Sequence, residues 1–222
     1  RPQDATLSRG GVAHDGEVAT RLGLAGIPVC AETIALSAIL ILARETGAPI
    51  HIAHVSTRGS LDLIRVAKHQ WGIDVTAETA PHYLELTDRE LVGYSTNLKM
   101  NPPLRTEADR QAIVEAVVDG TIDMIATDHA PHAEMEKDLE FDRAPFGVIG
   151  LETSFAVAYS QLVASGRMPL LELVRRMSLA PAERFRLAGG RVDAGAPAHL
   201  VLLDLEARWQ VRPQVLRSKS RN

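Results

Sequence analysis

Apolar positions along this chain alternate between helical and strand periodicity, and the alternation predicts its elements. From Glu32 to Thr46 the apolar residues Ile34, Ala38, Ile41 and Leu42 recur at the spacing of one helix face. Gly47 then stops the helix and Pro49 prevents its restart. Ile50–Val55 then reads as a strand. A helix from about Ser60 to Trp71 follows, with Leu61, Ile64 and Ala67 inward. Gly72 breaks it, and Ile73–Thr79 reads as the next strand. Thr87-Asp88-Arg89-Glu90 has capping-box spacing and should open a short helix. Thr106 is placed to cap a helix over 107–118, facing Ala112, Ile113, Ala116 and Val117 inward, and Gly120 ends it. Ile122–Thr127 is the next strand.

Strand and helix at this spacing mean βαβ units and a parallel sheet. After a long loop over 133–150, helices are expected near 151–164, from Pro169 to Met177, and from Pro181. Beyond Gly189 the pattern changes to turns and two short apolar runs, His199–Leu203 and Trp209–Val211, expected as strands of a small β region. The division is therefore 1–189 and 190–222. A closed (β/α)8 barrel takes roughly 250 residues and eight units, whereas this chain offers about three to four. An open α/β sheet and the second half of a TIM-like barrel are the two candidate architectures.

Composition narrows the function classes. With 222 residues and 45% of them hydrophobic, the chain can build a sizeable core. A net charge of -4 and an aromatic content of 4% argue against nucleic acid as a partner. No run approaches the ~20 apolar residues of a membrane helix. The polar start Arg1-Pro2-Gln3-Asp4 does not read as a signal peptide. One cysteine, Cys30, fits a reducing compartment, so a cytoplasmic location is expected.

Candidate chemistry gathers at strand ends, where parallel α/β folds place their sites. Ala126-Thr127-Asp128-His129-Ala130-Pro131-His132 follows one apolar run, and Pro49-Ile50-His51-Ile52-Ala53-His54-Val55-Ser56 ends another on a histidine. A strand-end carboxylate can bind a metal and take a proton from an acidified water. Strand alternation sends His51 and His54 to opposite faces and turns His129 away from the site, leaving His132 in the loop. Ser56-Thr57 could support the His54 ring. Asn101-Pro102-Pro103 is a rigid extended loop that could hold an amide in one orientation. Gly147, after Phe146, could let backbone approach a ligand. His82 could line the site or pack structurally, and His14, His69 and His199 read as surface or loop residues.

His51-Ile52-Ala53-His54-Val55-Ser56-Thr57, Asn101-Pro102-Pro103-Leu104-Arg105, Thr127-Asp128-His129-Ala130-Pro131-His132, and Phe146-Gly147 through Leu151-Glu152-Thr153 together resemble dihydroorotase of the longer bacterial type, within the amidohydrolase superfamily. The resemblance runs through essentially the whole chain. It implies a (β/α)8 barrel with a small β domain, zinc (one or two ions) at the barrel mouth, and reversible cyclisation of N-carbamoyl-L-aspartate to L-dihydroorotate in pyrimidine biosynthesis. It assigns His54 as a zinc ligand and Asp128 as ligand and general acid/base. It makes Asn101, His132 and the Phe146-Gly147 backbone substrate contacts, with His132 near the substrate carboxylate.

The departures are also informative. The family's first-strand His-x-His-x-Arg does not occur in this chain, and His54 and Asp128 are its only family ligands. The expectation is a carboxy-terminal half of the enzyme, inactive alone and prone to associate through unpaired strand edges. Alternatives are a catalytically silent scaffold for aspartate transcarbamoylase, and a hydantoinase- or allantoinase-like enzyme. A homodimer is a further possible assembly.

Overall fold

The computed structural model describes residues 1–221. A short strand β1 (Ala13–His14) leads through α1 (Glu17–Leu22) to β2 (Gly26–Ile27), its parallel partner. The long helix α2 (Val29–Thr46) runs into β3 (Ile50–Ile52), α3 (Arg58–His69) into β4 (Val75–Thr79), and the short α4 (His82–Glu85) precedes α5 (Glu107–Asp119) and β5 (Met124–Ile125). β3, β4 and β5 form one parallel sheet in that order, with Ile50 opposite Val75 and Glu78 opposite Met124. Among the described residues this sheet does not close. It is an α/β fold of βαβ units, as the apolar pattern predicts.

Local chemistry explains the helix limits. Thr57 caps α3 by accepting Ser60 N–H, and Thr106 caps α5 by accepting Asp109 N–H at 3.2 Å. Gly47 and Gly120 end α2 and α5 in the left-handed conformation, where glycine has no Cβ penalty. Thr87 and Glu90 form the expected reciprocal box, at the head of a 3-10 turn, Asp88–Leu91. The core lies where α2, α3 and α5 cover the sheet and buries Leu36, Leu40, Ile52, Leu61, Ile64, Ile113, Val117 and Ile122.

Four expectations change. α2 turns inward the face carrying Leu36, Leu40 and Ala43, while Ile34, Ile41 and Leu42 stand 49%, 52% and 63% exposed. The helix is apolar on two sides, and a buried carboxylate, Glu32, decides which side faces in. Strands are shorter than their apolar runs, because the chain leaves the ladder before His54 and before Asp128. The long loop contains a helical turn, α6 (Glu134–Lys137). Residues 199–203 and 209–211 form no strand, and Leu200, Val201 and Leu202 are exposed. An apolar run becomes a strand only against a partner edge, and among the described residues none is offered.

The last helices are α7 (Ser154–Ala158), α8 (Leu170–Val174) and α9 (Ala180–Phe185). The first two continue in π-helical turns, Tyr159–Ala164 and Arg175–Leu179. Phe185 packs edge-on against His51 at the start of β3. Among the described residues no helix is long and apolar enough to cross a membrane.

Candidate active site at the sheet's carboxyl edge

His54 and Asp128 follow β3 and β5 and converge although 74 residues apart in sequence. His54 Nε2 lies 3.5 Å from Asp128 Oδ1. Both residues have left-handed backbone, φ 59° and 45°, which is uncommon for any residue but glycine. Each is held there by anchors on both sides. After His54, Val55 N–H donates to Glu78 O and Val55 O accepts from the Thr79 hydroxyl, both at 2.9 Å. Before Asp128, Ala126 N–H donates to Thr79 O. After it, Ala130 N–H donates to Val148 O at 2.9 Å. Such over-determined strain is a recurrent mark of functional positions.

Glu78, on the central strand, is the residue the sequence reading missed. Its Oε2 accepts from His51 Nε2 at 3.1 Å, and its Oε1 lies 3.3 Å from His54 Nδ1. His51 and His54 therefore face the same carboxylate rather than opposite sides of the sheet. Alternation ends at Ile52, and the left-handed turn at His54 swings its ring back. Thr76 and Glu78, two residues apart and so on one face of β4, are the available signal for this polar face. Thr76 Oγ1 completes the line at 2.8 Å from His51 Nδ1. Burial pushes the His54 imidazole below its usual pKa, opposed by the Asp128 and Glu78 carboxylates. Arg1 approaches Asp128 to 3.8 Å.

The remaining expected residues form a second group. His132 Nε2 donates to Phe146 O at 2.9 Å, and Gly147 N–H donates to Lys99 O at 2.9 Å. The Phe146-Gly147 backbone thus already serves internal bonds. A Cβ at Gly147 would meet Ala130 Cβ and His132 Nε2 at 2.8 Å, and its φ of 138° excludes other residues without strain. Lys99 and Lys137 brace this loop. Lys99 Nζ donates to Phe141 O and lies over the Phe146 ring, while Lys137 Nζ donates to Thr96 O and Pro145 O. Burial lowers the Lys137 pKa to about 8. Asn101 lies two residues beyond Lys99, and its Oδ1 is buried without a hydrogen-bond partner. Tyr83 holds the adjoining loop by donating to Pro102 O at 2.5 Å.

His82 is half-buried, with Nε2 enclosed and unpartnered and a pKa pushed down to about 3, chiefly by desolvation. His129 Nδ1 accepts from Gly150 and Leu151 N–H. His14 is buried, contrary to its surface assignment, and accepts from Arg105 at 3.1 Å. Ser56 and Thr57 support Glu32 rather than the His54 ring.

Two donors on one tetrahedral zinc, at bonds of ~2.0–2.2 Å, stand roughly 3.3–3.5 Å apart. The His54–Asp128 pair fits two positions of such a set. Among the described residues no cluster of three or more His, Cys, Asp or Glu could hold a metal, whereas catalytic zinc takes three protein ligands. The donors present fit part of a zinc site and do not complete it.

A profile of the amidohydrolase family matches residues 11–220. Curated relatives named dihydroorotase include those of Pelotomaculum thermopropionicum, 49% identical, and Citrifermentans bemidjiense, 50% identical. Each aligns over 99% of this chain and 51% of its own length. The chain therefore spans about half the length of the curated relatives it matches. Among solved structures, the L-hydantoinase (dihydropyrimidinase) of Arthrobacter aurescens superposes with a TM-score of 0.73 at 31% identity. It covers 78% of this chain and 40% of the hydantoinase. The D-hydantoinase of a Thermus species, at 24% identity and the same TM-score over 89% of this chain and 43% of its own, shares the fold. The chain belongs to the amidohydrolase family.

Proposed function

We propose that this chain is the second half of a zinc-dependent dihydroorotase, which interconverts N-carbamoyl-L-aspartate and L-dihydroorotate in pyrimidine biosynthesis. The observation that carries the reading is the 3.5 Å approach of His54 Nε2 to Asp128 Oδ1. Two groups that each offer lone pairs repel at that separation unless a proton or cation lies between them. His54 and Asp128 would hold the metal together with ligands from outside the described residues. Bound zinc supplies Lewis acidity toward the ring carbonyl and brings the pKa of a water to about 7.

Asp128 takes the proton of the attacking water. Hydrolysis breaks the ring's carbonyl–nitrogen bond, and the same carboxyl delivers that proton to the leaving nitrogen. Reversal closes the ring and releases water. The orphaned Asn101 Oδ1 suits a ring N–H, and His132 would orient the substrate carboxylate. In this reading residues 1–189 belong to the barrel and 190–222 to a small β domain, the substrate is a small molecule, and the location is cytoplasmic. A homodimer remains compatible with it.

The hydantoinase-like structural neighbour favours a second reading, a broader cyclic-amide hydrolase. The aspartate transcarbamoylase scaffold is disfavoured, since a scaffold needs no converging strained His and Asp. Turnover by the full-length protein tests the choice. Dihydroorotate should be opened faster than dihydrouracil or hydantoin, and Asp128→Ala should abolish the reaction. Faster hydantoin opening, or unchanged turnover in the variant, would reject the reading.

A further inference from the structure

Behind the strained histidine lies a buried acidic network that none of the site residues explains. Glu32, on the first turn of α2, is 2% exposed. Its Oε1 accepts Ser56 N–H at 3.2 Å, the Thr57 hydroxyl at 3.0 Å and the Ser60 hydroxyl at 2.7 Å. Its Oε2 accepts the Ser56 hydroxyl at 2.5 Å. Arg105, 3% exposed, lies 4.0 Å from the same carboxylate. Its Nε donates to Ser56 Oγ at 3.3 Å, and its Nη1 donates to Ile27 O and to His14 Nδ1.

Sequence position gives the network its meaning. Ser56 is two residues after His54, and Arg105 is four residues after Asn101 at the end of the same Pro-Pro loop. A buried carboxylate is expensive unless fully hydrogen-bonded, and here nearly all its bonds go to one short loop. A cap for α3 needs only Thr57, which already accepts Ser60 N–H. The additional bonds to Ser56 immobilise the segment that leaves His54 in its left-handed conformation.

We infer that Glu32 is a positioning residue: it fixes the His54 loop through Ser56 and, by way of Arg105, ties that loop to the one carrying Asn101. The inference rests on the dihydroorotase reading only where turnover is measured. Loss of the network lets His54 relax toward ordinary backbone and uncouples it from Asn101.

Ser56→Ala removes the hydroxyl shared by Glu32 and Arg105 while leaving Glu32 Oε1 its three donors, and Glu32→Gln sets an amide N–H2 against hydroxyl donors. Glu17→Gln, in an exposed pair with Arg21 on α1, serves as control. In this chain, NMR of the His54 ring should show shifted resonances in both network variants and not in the control, while exposed His69 and His199 stay in place. In the full-length protein the two variants should lower kcat/KM for dihydroorotate at least tenfold with cooperative melting retained, and the double variant should be no worse than Glu32→Gln alone. An unmoved His54 resonance in a cooperatively melting Ser56→Ala chain would overturn the inference. So would a turnover loss that merely tracks the folded fraction. If the unmodified full-length protein opens no dihydroorotate, the functional reading falls, and the His54 resonances still judge the positioning role.

Discussion

Glu78 Oε1 lies 3.3 Å from His54 Nδ1, while the other oxygen of the same carboxylate takes His51 Nε2 at 3.1 Å. One side chain on the central strand therefore faces both histidines of β3 and its exit. With Glu78 on the Nδ1 side, the Nε2 atom is presented to Asp128. Carboxylates in this position orient ligand histidines, and their loss typically costs 10–100-fold in metal affinity or activity. Glu78→Leu in the full-length protein should show a loss in that range when zinc retention is measured by chelator competition. Retention equal to the unmodified protein would remove Glu78 from the account.

His82 gives the fold an acid liability. Its pKa is pushed down to about 3, from 6.5, so the folded state resists protonation that the unfolded chain accepts. As pH falls from 6.5 toward 3, the unfolded state binds more protons and folding stability drops. At pH 4.5 the cost is on the order of 3 kcal/mol. His82→Phe should narrow the difference between urea midpoints at pH 7 and 4.5. An equal difference in both proteins would contradict the shift.

Gly147→Ala combines backbone strain at φ 138° with a Cβ placed 2.8 Å from Ala130 Cβ and His132 Nε2. A destabilisation of about 2–4 kcal/mol is expected, together with displacement of the His132 ring. Calorimetry and the His132 NMR resonance are the two measurements. A melting temperature within a degree of the parent would show that the loop yields freely.

The face of α2 is open to a simple comparison. Leu36→Ala, at a wholly buried site, should cost about 2–5 kcal/mol, whereas Ile34→Ala, half exposed, should cost well under 1 kcal/mol. Denaturant titration of both variants distinguishes the observed face from the one its apolar spacing suggested. Equal costs would imply that the exposed side is covered in solution.

The contrast marks what sequence could and could not provide. α3, α5 and the three sheet strands were readable because a cap (Thr106), stops (Gly72, Gly120) and apolar periodicity agree, although the Thr57 cap was read as support for His54. On α2 they disagree, since apolar residues lie on both sides and the deciding residue is charged. His54 and Asp128 were readable as strand-end donors. Glu32 and Glu78 were not, because a carboxylate in an apolar segment reads as solvent-facing until its buried partners are known. The apolar runs near 199–211 illustrate the same limit, as pairing depends on an edge that local pattern does not contain.

The central claim is that His54 and Asp128 act as one unit on dihydroorotate. Its most direct test is the rate of carbamoyl-aspartate cyclisation by the full-length protein carrying His54→Ala, Asp128→Ala and both together. Groups that work as a unit are non-additive, so each single variant should lose nearly all turnover and the double should lose no more. Independent, multiplying losses, or a single variant that retains the parent rate, would contradict the account.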